Sequence, residues 1–315
     1  SVFSPSLNIK VDTTPYTITT VPDLLPDDDS GIASDDNITS NREPRFEMAG
    51  LSSIKDSIRL FINDGVSNQF LIGGRKGLDK LKDTLKVPTA SILDEGTYDF
   101  TYVVIDSAGN TSTVSSATSI VVDFTPPNAP GAPDLSSSDD TGNSDTDDLT
   151  KATSMDMTVT GLTQGDFGLL YKVDEASNTT LVDSVIVGSG GSLTYSVSNG
   201  ADGEFDFHAV AIDTAGNIST NSLTTTITVD QTRPDVAGAI INLDDASDSG
   251  IKNDDDLTND TSPSFTINGV TATDSIFLYF SDVQNQKDLA SGATVNFTGD
   301  VTTDGEYEIT IKAKD

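Results

Sequence analysis

The chain repeats itself, and the period decides what it can fold into. Val11-Asp12-Thr13-Thr14-Pro15 returns as Val122-Asp123-Phe124-Thr125-Pro126 and as Val229-Asp230-Gln231-Thr232-Arg233-Pro234, with the aspartates 111 and then 107 residues apart. Ile105-Asp106-Ser107-Ala108-Gly109-Asn110 returns 107 residues later as Ile212-Asp213-Thr214-Ala215-Gly216-Asn217. Gly96, Gly203 and Gly305 each open a Gly-x-aromatic triplet ten residues before an aspartate (Asp106, Asp213, Asp315). Three landmarks in one register mean tandem units. These run 12–122, 123–229 and 230–315. Residues 1–11 read as the last strand of an upstream unit, because Leu7–Asp12 matches Thr118–Asp123. The third unit stops at the aspartate that would open its turn, so the sequence reads as a slice of a longer protein.

The first two units have 111 and 107 residues and the third 86, and apolar residues make up 35% of the chain with 6% aromatics. That is lean for one large core and suits small sandwiches in which alternate residues face inward. In the second unit, alternation and turn residues mark strands at 155–159, 167–173, 181–187, 192–197, 205–212 and 223–229, after a proline-rich edge strand over 126–133. Val187–Gly191 reads as a hairpin. Seven strands at this spacing predict an all-β fold of three immunoglobulin-like sandwiches arranged end to end as a rod. The first unit carries a basic insert, Gly73–Lys86, with five of the 17 basic residues. Leu78, Leu81 and Leu85 have helical spacing there, which predicts a hairpin or short helix covering the sandwich edge.

An acidic loop recurs once per unit. It reads Asp28-Asp29-Ser30-Gly31 through Asp35-Asp36-Asn37-Ile38-Thr39, then Asp139-Asp140-Thr141-Gly142 through Asp145-Thr146-Asp147-Asp148-Leu149-Thr150, then Ser247-Asp248-Ser249-Gly250 through Asp254-Asp255-Asp256-Leu257-Thr258. Counting the flanking Asp27, Asp244 and Asp245, sixteen carboxylates crowd these loops with one lysine, Lys252. Like charges this close repel and resist desolvation, so a cation is expected to neutralise them. No cysteine and a single histidine disfavour soft metals. Oxygen donors and a turn-forming glycine favour Ca²⁺ over the more tightly octahedral Mg²⁺. The EF-hand pattern is absent. Candidate ligands are Asp28, Asp29, Asp35 and Asp36, then Asp140, Asp145, Asp147 and Asp148, then Asp248, Asp254 and Asp255. To these are added the turn residues Asp106, Asn110, Asp213 and Asn217, the linker residues Asp12, Asp123 and Asp230, and Asp315.

Topology predicts where these groups meet. In a seven-strand sandwich the connection between the first two strands lies at the pole where the chain leaves, and the last turn lies at the pole where it arrives. The acidic loop of unit one should therefore face Asp213 and Asn217 of unit two across Asp123. The acidic loop of unit three has no downstream partner in this sequence.

Together, the Val-Asp-x-Thr-x-Pro linker, the acidic loop and the Asp-x-Ala-Gly-Asn turn resemble bacterial immunoglobulin-like domains, which occur in tandem arrays in giant adhesins exported by type I secretion. The resemblance covers essentially the whole chain. It implies a secreted, surface-retained virulence factor for cell adhesion, whose calcium-bound domain junctions are rigid. It maps ligands to Asp29, Asp35, Asp36, Asp123, Asp213 and Asn217 at the first junction, and to Asp140, Asp147, Asp148, Asp230 and Asp315 at the second. Thr146 stands where the other copies carry aspartate.

Net charge is −33, with 50 acidic residues against 17 basic, which repels a phosphate backbone and excludes nucleic acid as a partner. No apolar run is long enough to span a bilayer. Ser1–Lys10 lacks the basic and apolar regions of a secretory signal. The expected function is a calcium-stiffened spacer that presents an adhesive region to host cells, acting as a monomer and stacking on its own neighbouring repeats. The alternative is that these units themselves bind a host glycan, through the basic insert with Lys80 and Lys82 or through loops around Phe167–Leu170. An enzyme is not expected, because the carboxylates repeat with the domain period, no Gly-x-Ser-x-Gly elbow exists, and His208 alternates along a strand.

Overall fold

The computed structural model describes residues 4–49, 56–63, 70–76, 83–142, 144–198, 201–252 and 254–314. The first repeat holds strands β1 (Asp23–Leu24), β2 (Ile38–Thr39), β3 (Arg45–Met48), β4 (Ser57–Asn63), β5 (Phe70–Lys76), β6 (Asp83–Lys86), β7 (Gly96–Ile105) and β8 (Thr118–Val122). The second holds β9 (Asp134–Leu135), β10 (Leu149–Thr150), β11 (Ser154–Val159), β12 (Phe167–Val173), β13 (Thr179–Ile186), β14 (Leu193–Ser198), β15 (Gly203–Ile212) and β16 (Thr225–Val229). The third holds β17 (Ile240–Leu243), β18 (Ser264–Asn268), β19 (Ser275–Phe280), β20 (Val283–Leu289), β21 (Thr294–Thr298) and β22 (Ile309–Lys314). The protein is all-β. Among the described residues no helix is long and apolar enough to cross a membrane.

Packing divides the chain into two compact units: residues 1–134, 157–196 and 206–225, and residues 135–156, 197–205 and 226–315. In the first unit, a three-stranded sheet ordered β1-β3-β6 faces a five-stranded sheet ordered β2-β8-β7-β4-β5. Alternation builds the core between them. Phe46 and Met48 of β3, Ile58, Leu60 and Ile62 of β4, and Phe100, Tyr102 and Val104 of β7 are buried, and the rings of Phe46 and Phe100 lie 4.2 Å apart. Strand β2 pairs with β8 in parallel, through Val121 N to Asn37 O and Asp123 N to Thr39 O, both 2.9 Å. The same unit pairs β12 with β13 and with β15, both antiparallel.

Serine hydroxyls finish these sheets where regular pairing gives out. After the turn at 106–110, Ser112 Oγ accepts from Val104 N (2.9 Å) and Ser115 Oγ from Tyr102 N (3.0 Å). After the turn at 213–217, Ser219 Oγ accepts from Ala211 N and Ser222 Oγ from Ala209 N, both 2.9 Å. All four serines are buried.

The second unit pairs β10 with β16 in parallel, as β2 pairs with β8. Its third-repeat sandwich has sheets ordered β17-β18-β21 and β20-β19-β22. Phe265, Ile267, Ile276, Leu278, Phe280, Val295 and Phe297 form the core.

Several expectations are corrected. Within this chain residues 7–11 are exposed coil, with Leu7, Ile9 and Val11 85, 78 and 75% exposed, as the residues of a strand are without its sheet partners. Residues 126–133 are irregular, because proline withholds the amides a ladder needs. Val187–Gly191 is not a hairpin; it leads from β13 to β14, which lie in different sheets. The basic insert contributes strands β5 and β6, and Leu85 is a buried strand residue, not part of a helix. Leu78, Leu81, Lys80 and Lys82 lie outside the described residues.

Candidate metal centre

The three acidic loops are built alike. A tight turn opens each one: Leu25 O accepts from Asp28 N and Asp29 N, Ser136 O from Asp139 N and Asp140 N, and Asp244 O from Ser247 N and Asp248 N, all at 2.8–3.0 Å. The first residue of each pair is then stapled to the following strand. Asp28 Oδ2 accepts from Arg45 N (2.7 Å), Asp139 Oδ2 from Asp156 N (2.8 Å) and Ser247 Oγ from Ser264 N (2.9 Å).

The second residue turns inward. Asp29, Asp140 and Asp248 are only 5, 8 and 6% exposed. In each, Oδ2 accepts the amide eight residues on: Asn37 N at 3.3 Å, Asp148 N at 3.2 Å and Asp256 N at 3.2 Å. Those three donors adopt positive φ of 61, 57 and 53°, the left-handed region that Asn and Asp tolerate best. In each, Oδ1 is buried with no hydrogen-bond partner. Burial, reinforced by the neighbouring carboxylate of Asp36, pushes Asp29 up from the usual carboxylate range, and Asp147 acts likewise on buried Asp140. The same defect in three copies is a property of the motif, since buried polar atoms are normally satisfied.

The remaining candidates divide by role. Asp28 does not face outward for a cation: Arg45 Nε reaches its Oδ2 at 2.8 Å, and Arg45 Nη2 and Asn41 Nδ2 reach its Oδ1 at 3.0 Å. Asp36 and Asp255 each accept the amide two residues on. Asp147 does the same and also accepts from Ser144 N. Asp35, Asp145 and Asp254 are exposed. In the turns, Asp106 Oδ1 accepts from Ala108 N and Asn110 N, and Asp213 Oδ1 from Ala215 N and Asn217 N. Asn110 Nδ2 donates to Asp12 O at 3.1 Å and Asn217 Nδ2 to Asp123 O at 2.9 Å, tying turn to linker. The linker acids cap their own turns, Asp12, Asp123 and Asp230 each accepting from the amide two residues on. Asp315 lies outside the described residues.

The predicted meeting of loop and turn occurs within the first unit. Ser30 Oγ donates to Ala215 O at 2.7 Å, and Gly31 packs on Thr214 and Ala215. One residue there escaped the sequence reading. Asp166, directly before β12, is 5% exposed, and burial followed by repulsion from Asp213 and Asp123 raises its pKa. Asp56 and Asp274 occupy the same place before β4 and β19 and are equally buried. The aspartate immediately before β4, β12 and β19 was the available signal. Beside the second loop, within the second unit, a pocket is lined by Thr141, Gly142, Asp230 and Lys314 among others. Among the described residues no three carboxylate or imidazole side chains converge as a coordination cluster. Any ion there would draw on backbone carbonyls and solvent besides the aspartates. The donors on offer are all hard oxygens, which fit Ca²⁺.

Two other readings meet the structure here. Phe167–Leu170 opens strand β12, as alternation and turns predicted, with Leu169 and Leu170 buried. His208 stacks on Tyr171 with ring centroids 5.3 Å apart, on the strand where alternation placed it.

The family described as Bacterial Ig-like domain matches residues 16–124, 127–231 and 235–315. No curated protein matches the chain. Solved structures similar to it include a tetra-tandem repeat from the extending region of a large adhesion protein, at 15% identity over 88% of this chain and 70% of that one, TM-score 0.27. A 1.5-MDa bacterial ice-binding adhesin is similar at 13% identity over 95% and 97%, TM-score 0.30. A marsupial T cell receptor is similar at 8% identity over 88% and 93%, TM-score 0.42.

Proposed function

The chain belongs to the bacterial Ig-like domain family, with three repeats in succession, and from that premise we propose that it is a calcium-stiffened spacer of an extracellular surface adhesin. Its motifs resemble the Salmonella giant non-fimbrial adhesin, and export by type I secretion and a role in host attachment go with that resemblance. The observation that carries the calcium reading is the threefold recurrence of a buried, unpartnered carboxylate oxygen at Asp29, Asp140 and Asp248. A divalent ion supplies positive charge to that oxygen, where the protein supplies no donor. In the first loop the acids available are Asp29, Asp35 and Asp36; in the second, Asp140, Asp145, Asp147 and Asp148; in the third, Asp248, Asp254 and Asp255. Charge neutralisation would hold each loop in one conformation and so limit the freedom of what it touches.

Calorimetric melting with excess Ca²⁺ and with chelator tests this. A site kept at a hundredfold its Kd adds about 2.7 kcal/mol to folding, so the melting temperature rises clearly with calcium, and small-angle scattering shows a narrower range of conformations. Identical melting and scattering in both conditions would rule the reading out.

A further inference from the structure

We propose that Thr214-Ala215-Gly216 is a backbone socket for Ser30-Gly31, which fixes the first acidic loop against this turn by shape and one hydrogen bond, without a cation. The inference goes beyond the calcium reading and stands independently of it.

The fit is close on both sides. A methyl group on Gly31 would lie 2.0 Å from the Thr214 carbonyl oxygen and 2.9 Å from the Ala215 carbonyl carbon. One on Gly216 would lie 3.0 Å from both the Cα and the N of Gly31. These neighbours are backbone, which cannot swing aside as a side chain could. Two glycines thus face each other because neither chain leaves room for a Cβ. The hydroxyl above them is aimed: Ser30 Oγ accepts from Ser40 N at 2.8 Å and donates to Ala215 O at 2.7 Å. That aim is built into the motif, since Thr141 Oγ1 accepts from Lys151 N and Ser249 Oγ from Asn259 N, each ten residues on.

The molecule contains its own control. The turn at 106–110 has the same Asx hydrogen bonds and the same glycine conformation, φ 94° at Gly109 against 86° at Gly216. At Gly109 an added methyl meets nothing within 4 Å, and Ala108 is exposed. Ala215, with the loop seated on it, is 0% exposed. The turn therefore keeps one shape whether covered or not, and the face it presents is preformed for a Ser-Gly loop.

A chain without cysteine accepts spin labels cleanly at Ala117→Cys and Thr224→Cys, both exposed positions. Pulsed electron resonance on the full chain should give one narrow distance peak with calcium and with chelator alike. Gly216→Ala loses that peak to a broad distribution in both conditions, whereas Gly109→Ala, which carries the same backbone strain without the clash, keeps it. Ser30→Ala, which leaves every backbone angle allowed, broadens it partly and guards against a folding defect in the glycine variant. A narrow peak in Gly216→Ala, equal broadening in Gly109→Ala, or a broad parent distribution in chelator would each overturn the socket.

Discussion

At the scale of single residues, the acidic loops pair one satisfied carboxylate with one that is not. Asp28 is satisfied by Arg45 and Asn41. Burial alone would raise its pKa, but the hydrogen bonds and charge of Arg45 outweigh that and lower it below 3.8. The stability it contributes is therefore complete above pH 3.8 and fades as pH falls through the depressed value. Arg45→Met is expected to destabilise the protein at neutral pH and to do so less in acid, as denaturant melts at a series of pH values would show. Asp29 carries the opposite sign. Its charged form is penalised by burial and by Asp36, so Asp29→Asn should stabilise the calcium-free protein and destabilise the calcium-loaded one relative to the parent. A change of the same sign in both conditions would mean that Asn37 N, not a cation, is the partner that matters. Asp140→Asn and Asp248→Asn should behave alike, because their buried oxygens are equally orphaned.

At the scale of elements, the four buried serines replace a stretch of strand. Ser112→Ala or Ser219→Ala strands a buried amide, Val104 N or Ala211 N, and should cost about 1–3 kcal/mol by chemical denaturation; the exposed Thr113→Ala should cost little. This staple was open to a reader of Thr111-Ser112-x-x-Ser115 and Ile218-Ser219-x-x-Ser222, but serine spacing carries no hydrophobic period. Strands with inward alternation, such as Ser154–Val159 and Leu193–Ser198, were legible because burial writes itself into every second residue. Two-residue strands such as β2 and β10 were not, since their pairing is set by neighbours distant in sequence. In the loops, the aspartate pairs marked the site, yet nothing local distinguishes the outward Asp35 from the inward Asp29. That difference comes from the opening turn and the left-handed residue eight positions later. Leu85 misled for the same reason in reverse: a helical interval in a short run is also compatible with one strand residue reaching the core.

At the scale of the whole molecule, the repeat is the unit of design, and its first acidic loop ends in a two-residue strand laid parallel to the final strand of its own sandwich. The parallel sense sets how such a module meets tension. When a chain is pulled from its two ends, an antiparallel hairpin opens one bond after another, like a zip. In the β2–β8 and β10–β16 pairs the two strands run the same way, one early in the repeat and one at its close, so tension drags them past each other and strains their bonds together. Pulling single molecules should therefore give high rupture peaks for the first two repeats, and Thr39→Pro, which deletes ladder geometry at β2, should lower the first repeat's peak while sparing the second's. A repeat assembled this way meets a pulling force with the backbone itself.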